Sequence, residues 1–261
     1  MQLYKYPRTQ HIQGSKLQTG DHDLTQVPFE SLKGQYLVVE EKLDGANCGI
    51  SFDNHGKLFI QSRGHFLVGG AREKHFNVLK QWANVHSSWL FDCLTDKYVM
   101  YAEWMYCKHT VFYDMLPHYV MEFDIYDPST DTFMSTAKRH ELLSGLPIVS
   151  VPVVWSGKAE SLEHLVSLVK PSLYKSPRWR DNLIVSAQQR NIDPEKVLTQ
   201  TDMCDISEGL YCKVEDDDRV SWRYKYVRNT FLNSILDSET HWMDRPIIPN
   251  QLRNDVDIFA W

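Results

Sequence analysis

A lysine that ends an apolar strand and runs straight into a tight turn is the most reactive arrangement in this chain: Leu37-Val38-Val39-Glu40-Glu41-Lys42-Leu43-Asp44-Gly45-Ala46-Asn47. The KxDG spacing can hold the Lys42 amine in a phosphate pocket, and a neutral amine there can attack phosphorus to give a phosphoramidate. Glu41 and Asp44 favour the ammonium, so other cations, a bound metal among them, must lower its pKa before it can act. Four residues of this kind arise by chance in roughly one chain in twenty of this length. A solvated lysine before a turn is the bland alternative.

Further elements follow in order. Ser62-Arg63-Gly64 closes a hairpin after the lysine, Tyr101-Ala102-Glu103-Trp104 ends a strand, and Glu122-Phe123-Asp124-Ile125-Tyr126 is another strand. Glu208-Gly209-Leu210-Tyr211-Cys212-Lys213 then precedes Trp222-Arg223-Tyr224-Lys225-Tyr226-Val227-Arg228. Residues two apart on a strand share a face, so Arg223 and Lys225 lie together, as two cations gripping a polyphosphate would, with Trp222, Tyr224 and Tyr226 on the opposite face; an ordinary surface face with aromatic packing behind it is the alternative. Arginine keeps its charge and offers a fork to phosphate but cannot become neutral, which assigns Arg223 to phosphate binding. Glu208 is the candidate for a magnesium-type site, because Mg2+ retains waters and takes one or two carboxylates plus substrate phosphates. Phe123 read alone is a core residue, although a flat aromatic at an inward strand position also suits a purine face.

The series resembles the covalent nucleotidyltransferases, and among them the ATP-dependent RNA ligases of the phage and bacterial RNA-repair type, with Asn47 two residues after Gly45 and a last motif of the form RxKxVR. The motifs run from about residue 40 to 228. Pro7-Arg8-Thr9 with His11 and Gly14-Ser15, and Lys108-His109-Thr110 after Glu103-Trp104, are similar to a bacterial branch of such ligases. The resemblance implies Lys42 as the nucleophile that takes AMP, with Glu208 and Lys225 completing the catalytic set and Lys225 on the α-phosphate. It implies nucleotide contacts from Glu41, Asn47, Arg63, Glu103, Phe123, Glu208, Arg223 and Lys225, with Phe123 stacked on adenine. Glu208 and Glu103 would hold the metal. ATP is the implied co-substrate and Mg2+ the implied ion, Mn2+ being the substitute. The partner would be RNA with 5′-phosphate and 3′-hydroxyl ends, prepared where necessary by an end-healing kinase or phosphatase, and joined in RNA repair through lysyl-AMP and adenylylated-RNA intermediates. A DNA ligase, a GTP-dependent capping-type enzyme and a non-catalytic RNA-end-binding module are the alternatives.

The elements that must position these residues make an α+β chain, which the resemblance makes a nucleotidyltransferase (ligase adenylation) domain of antiparallel sheets with flanking helices. β-type runs cover Tyr36 to Lys42, Gly49 to Phe52, Lys57 to Gln61, Tyr98 to Glu103, Tyr119 to Tyr126, Gly209 to Glu215 and Val220 to Val227. Phe76, Leu79, Ala83, His86 and Leu90 recur at helical spacing and predict one amphipathic helix from Ala71 to about Leu90. Thr136, Ser161 and Asp193-Pro194 mark three further helix starts. One domain over residues 1–228 and a short tail, 229–261, packed on it are expected. The 33 residues beyond Arg228 are too few for a five-stranded OB barrel, so no OB-fold domain is expected.

The formal charge of −6 argues against non-specific coating of nucleic acid. Residues 170–190 are nevertheless locally basic, with Tyr174 and Trp179 interleaved, and are a candidate for substrate engagement. Five scattered cysteines, none in a CxxC pair, indicate neither a disulfide framework nor a zinc site. No histidine pair has metal-ligand spacing, and His65 and His109 stand beside motifs as candidates for contact with nucleotide or RNA. No P-loop is present, and no apolar run is long enough for a membrane helix; a polar start without a signal peptide predicts a cytoplasmic protein.

Overall fold

The computed structural model describes residues 2–17, 25–231 and 245–260. Within them twelve strands join into one sheet. They are β1 (Gln10–Ile12), β2 (Gln26–Val27), β3 (Tyr36–Lys42), β4 (Ala46–Phe52), β5 (Leu58–Ser62), β6 (Val99–Trp104), β7 (Val120–Asp127), β8 (Thr132–Met134), β9 (Val149–Ser150), β10 (Val153–Lys158), β11 (Gly209–Glu215) and β12 (Arg219–Val227). The order along the sheet is β10-β3-β11-β12-β8-β7-β6-β4-β5, all antiparallel, with β1 added parallel to β12 and to β2, and β9 parallel to β7. The helices are α1 (Asn77–Val85), α2 (Ser87–Leu94), α3 (Thr136–Leu142), α4 (Leu162–Ser167), α5 (Trp179–Gln188) and α6 (Pro194–Thr199).

Each arm of the sheet has its own apolar filling. β4 and β6 pack Cys48, Ile50, Phe52, Met100, Ala102 and Trp104 against Leu79, Trp82, Ala83, Leu90 and Leu94 of α1 and α2. β3, β11 and β12 pack Leu37, Val39, Leu210, Cys212, Tyr224 and Tyr226 against Leu165 of α4. Between the arms lies a third cluster, in which Tyr6, Tyr101, Met121, Phe123 and Phe133 meet. The parity of β12 is as expected: Tyr224 and Tyr226 turn away from Arg223 and Lys225, although Trp222 stays 61% exposed.

The single helix expected from Ala71 to Leu90 is three pieces: a 3-10 stretch Ala71–Phe76, then α1, then α2, with His86 as the hinge between the last two. Side-chain bonding explains the break. His86 Nε2 lies 3.0 Å from the Ile258 carbonyl, and its Nδ1 accepts from Trp89 Nε1 at 3.0 Å, so the ring is tied down where a continuous helix would carry it elsewhere. Two of the other starts are capped as expected, Ser161 accepting from His164 N and Asp193 from Glu195 N, whereas the cap expected at Thr136 is Ser135, which accepts from Lys138 N, and Thr136 is the first helical residue.

The segment 245–260 crosses the back of the fold. Asn250 accepts from Tyr113 N and donates to the Met105 carbonyl, and Ile258 enters the α1/α2 core. The rest of the expected tail, 232–244 and Trp261, lies outside the described residues. Among the described residues no helix is long and apolar enough to cross a membrane.

His118 gives this arm a pH dependence. It is 5% exposed, with its Nδ1 2.9 Å from Val120 N and 3.1 Å from the Val120 carbonyl oxygen, and burial disfavours the charged ring. Burial is the main cause that drives its pKa down to about 4. A depressed histidine contributes stability that is full above its ordinary value near 6.5 and is lost as pH falls through about 4. His118→Asn, which keeps an acceptor but cannot ionise, should therefore shrink the difference in unfolding free energy between pH 7 and pH 4.5 by about 2 kcal/mol. Urea denaturation at the two pH values checks it; an unchanged difference would contradict the neutral assignment.

Candidate active site

β3 delivers Lys42 to the mouth of a cavity of about 260 Å³ between the two arms of the sheet. Eight of the nine nucleotide-contact candidates line it: Glu41, Lys42, Asn47, Arg63, Glu103, Phe123, Glu208 and Lys225. They come from both arms, and residues as far apart as 42 and 208 meet because β3 and β11 are neighbouring strands of one arm. Lys42 and Gly209 are partners across β3 and β11, and Asn47 faces Glu103 across β4 and β6.

The turn after Lys42 is pinned from four directions. Gly45 N donates to Glu103 Oε1 at 3.0 Å, Asp44 N donates to the Tyr113 hydroxyl at 2.9 Å, and Asp44 Oδ2 accepts from Thr110 N and Val111 N, each at 2.7 Å. Glycine is required at 45 because a Cβ there would lie 2.8 Å from the Trp104 carbonyl oxygen and from Met105 Sδ. At Gly209 a Cβ would come within 1.8 Å of the Tyr226 carbonyl oxygen, so only glycine lets β11 lie against β12 directly after Glu208.

Lys42 Nζ donates to Glu208 Oε2 at 2.8 Å; Lys42 is 20% exposed and Glu208 1%. Burial alone would depress the amine, but Glu208, followed by Glu103 and Asp44, outweighs it and holds the pKa above the ordinary lysine value. The ammonium is thus the resting form. Its acidic neighbours include Asp44, as expected, but Glu41 instead accepts from Leu173 N and its carboxyl is raised by burial. Burial also pushes Glu103 up to about 7, against the pull of Lys42 and with Asp44 and Glu208 adding to the rise.

Phe123 sits where β7 makes a bulge: Tyr101 pairs with Asp124 and Ala102 with Glu122, leaving Phe123 as the extra residue. Such a bulge re-aims a side chain. The carbonyl it displaces is taken by Lys213 Nζ, and the ring is met edge-on by Tyr6 at 5.1 Å between centroids. Behind this floor lies a fully buried ion cluster. Arg139 binds both Glu122 oxygens (2.7 and 2.8 Å) and Glu40 Oε1 (2.7 Å), while Lys213 pairs with Glu40 (2.9 Å) and Asp124 (3.2 Å).

The ninth candidate, Arg223, is not on the cavity wall. It shares the face of Lys225, but its guanidinium lies 3.6 Å from the centroid of the Phe133 ring and 5.4 Å from that of Tyr6. The wall beside Lys225 carries Tyr211, its cross-strand partner, and Tyr6 and Thr9. Tyr6 donates to Asp124 Oδ2 and shares a 2.5 Å hydrogen bond with Tyr211, whose hydroxyl is 2.9 Å from Thr9 Oγ1. His65 bonds Ser62 (3.0 Å) outside the cavity, and His109 lines a different one.

The basic segment 170–190 does not offer the expected stacking platform. Trp179 is 1% exposed in a core with Phe112, Leu183 and Ala187, its ring covered by Lys175 and Arg180. Lys175 donates to the Cys204 carbonyl and Arg180 to Asp205, so part of the local charge is spent internally.

Among the described residues no three His, Cys, Asp or Glu side chains converge as a metal cage. A hard divalent ion that keeps its waters needs only one or two carboxylates beside phosphate oxygens. Glu103 and Glu208 fit that donor set, both being on the wall with Lys42. Asn47 Oδ1 and Glu41 Oε1 are buried, have no hydrogen-bond partner among the described residues, and belong to residues that line the cavity, as acceptors for a bound molecule. The arrangement can place an amine against a phosphorus centre between a purine-sized aromatic floor and the cationic Lys225 and Arg63.

Comparison with solved structures finds the same fold in the RNA ligase of Naegleria gruberi. The form with pyrophosphate is 17% identical, with a TM-score of 0.54 over 90% of this chain and 64% of that one. A mutant solved with ATP and manganese is 15% identical, with a TM-score of 0.52 over 88% and 62%. The present chain thus spans a little under two thirds of the length of that ligase. No curated protein matches by sequence. The family model for RNA ligases matches residues 35–227, the stretch that supplies β3 to β12 and all eight candidates on the cavity wall, and the chain belongs to the RNA ligase family.

Proposed function

We propose that the chain is an ATP-dependent RNA ligase that joins 5′-phosphate and 3′-hydroxyl ends through lysyl-AMP and adenylylated RNA. The observation that carries this reading is the Lys42–Glu208 contact of 2.8 Å inside a cavity shared with Glu103, Phe123 and Lys225. In the first step the neutral Lys42 amine forms a bond to the α-phosphorus of ATP as the bond to the β-phosphate oxygen breaks, releasing pyrophosphate. Glu208 holds Nζ in place beforehand and is the acceptor in contact with its proton. Lys225 neutralises phosphate charge, and Phe123, set by its bulge and by Lys213, carries the adenine.

In the second step a 5′-phosphate oxygen of RNA displaces Lys42 from AMP, and in the third a 3′-hydroxyl oxygen attacks that 5′-phosphorus and expels AMP. Catalysis here is largely positioning and charge neutralisation. Mg2+, or Mn2+ in its place, held by Glu103 and Glu208, would supply further neutralisation of phosphate charge. Ends that carry a 5′-hydroxyl or a 3′-phosphate must first be converted, which places an end-healing kinase or phosphatase upstream in RNA repair, in a cytoplasmic setting.

The test is end joining. Incubated with ATP and Mg2+, the protein should seal a nicked RNA duplex bearing a 5′-phosphate and leave the 5′-hydroxyl version open. Sealing of a DNA nick with equal efficiency would move the reading to DNA ligase.

A further inference from the structure

A second cavity, of about 280 Å³, opens where the loop after β6 meets α6 and the segment beginning at Arg245. Among the described residues its wall carries Lys108, His109, Lys196 and Arg245 against one carboxylate, Asp193, whose oxygen caps the first turn of α6. Lys108-His109 is the sequence feature that the first cavity does not use.

Lys108 Nζ donates to the carbonyls of His109 (3.1 Å) and Gln200 (2.9 Å). An ammonium has three donors, so one N–H has no acceptor among the described residues. Burial first, then the nearby Arg245, pulls the Lys108 amine down to about 7, and burial lowers Arg245 as well. Asp44 is the carboxylate that opposes both cations, but its Oδ2 already accepts two backbone amides, and the remaining Lys108 N–H is left for a further anion in the cavity. The two cavities are joined through the KxDG turn: Asp44 lines the first, and its carboxylate accepts the amides of Thr110 and Val111, directly after His109.

We propose that this second cavity seats a phosphate group of the RNA strand being joined, against Lys108, Lys196 and Arg245. The identity of the occupant rests on the ligase reading; the preference for an anion rests on the cavity. A net charge of −6 leaves little general attraction for nucleic acid, so a confined cluster of this kind next to the nucleophile's turn is where a strand can be gripped. Engaging it would also couple strand binding to the position of Asp44.

The experiment compares wild type, Lys196→Glu and Arg245→Gln for binding of a fluorescent 5′-phosphorylated oligoribonucleotide over a range of salt, with transfer of label from ATP to Lys42 measured in parallel. Lys196 is exposed, so its substitution stands even if the Arg245 variant fails to fold. Each variant should bind the RNA about fivefold to tenfold more weakly, and the slope of log affinity against log salt should fall by about 0.7, the effect of one phosphate left without its cation. Labelling of Lys42 should stay within about twofold of wild type.

Unchanged RNA affinity and slope with intact labelling would overturn the assignment. Absence of label on wild-type Lys42 is a separate result, which contradicts the ligase reading itself.

Discussion

Glu208→Gln should slow the transfer of AMP from ATP to Lys42 about 100-fold and shift its pH profile towards acid. The two effects come from one contact. Glu208 Oε2 is 2.8 Å from Nζ and is the acceptor that fixes the amine and lies in line for its proton, a role of the kind worth about two orders of magnitude or more. The same carboxylate is the strongest influence raising the Lys42 pKa against burial. Glutamine keeps the shape but removes the charge, so the amine becomes neutral at lower pH and the rising limb of rate against pH moves down. A purely structural role would lower the rate without moving the limb. Single-turnover labelling across pH checks it, and a rate within about threefold of wild type with an unshifted limb would contradict the assignment.

Arg139→Met should reduce unfolding free energy by about 3–5 kcal/mol, because it leaves Glu40 and Glu122 buried without their shared counter-ion. For a chain of this size that corresponds to a fall in Tm of roughly 10 °C. Arg139, Lys213, Glu40 and Glu122 are all shielded from solvent, and each ion bonds to more than one partner. Such a cluster is costly to desolvate and is not in itself a source of stability. Its placement explains its presence: Lys213 holds the Phe123 carbonyl and Asp124, and Asp124 holds Tyr6 on the cavity wall. Thermal melts read the stability. A loss under 1 kcal/mol would show that the cluster is more solvated than its burial indicates.

The strands were legible where β-branched and aromatic residues alternate between turn residues. β3, β11 and most of β12 lie where the pattern puts them, with β4 beginning three residues earlier, at Ala46. β10 was not read, although Val153-Val154-Trp155 is a strand-forming run, because an edge strand paired only to β3 is exposed on much of both faces and lacks alternation. α5 was hidden by its charges. Trp179, Leu183 and Ala187 recur every four residues, but the basic residues around them, Lys175, Arg178, Arg180 and Arg190, read as a nucleic-acid surface, when Lys175 and Arg180 instead cover the indole of a core tryptophan.

The wall residues Lys42, Glu103, Phe123, Glu208 and Lys225 were legible because their motifs keep their order, even though no local pattern shows that β3 and β11 are neighbours. Strand parity found the common face of Arg223 and Lys225 but not where the cavity ends along β12; two residues further from Gly209, Arg223 stacks on Phe133 instead. Tyr6, Thr9 and Tyr211 were missed as wall residues. Tyr211 carried a signal, since it lies in the Glu208 motif and pairs with Lys225 across the hairpin. Tyr6 carried little, because its contact with Asp124 spans 118 residues of sequence. The bulge that presents Phe123 cannot be read from alternation, which assumes one residue opposite one.

The most direct measurement incubates the protein, stripped of any bound AMP, and its Lys42→Ala variant with Mg2+ and α-labelled ATP or GTP, then follows label that survives denaturation. The account predicts label from ATP alone on the wild type and none on the variant. Label from GTP would contradict the adenine assignment of Phe123, and no label from either nucleotide would contradict Lys42 as the nucleophile.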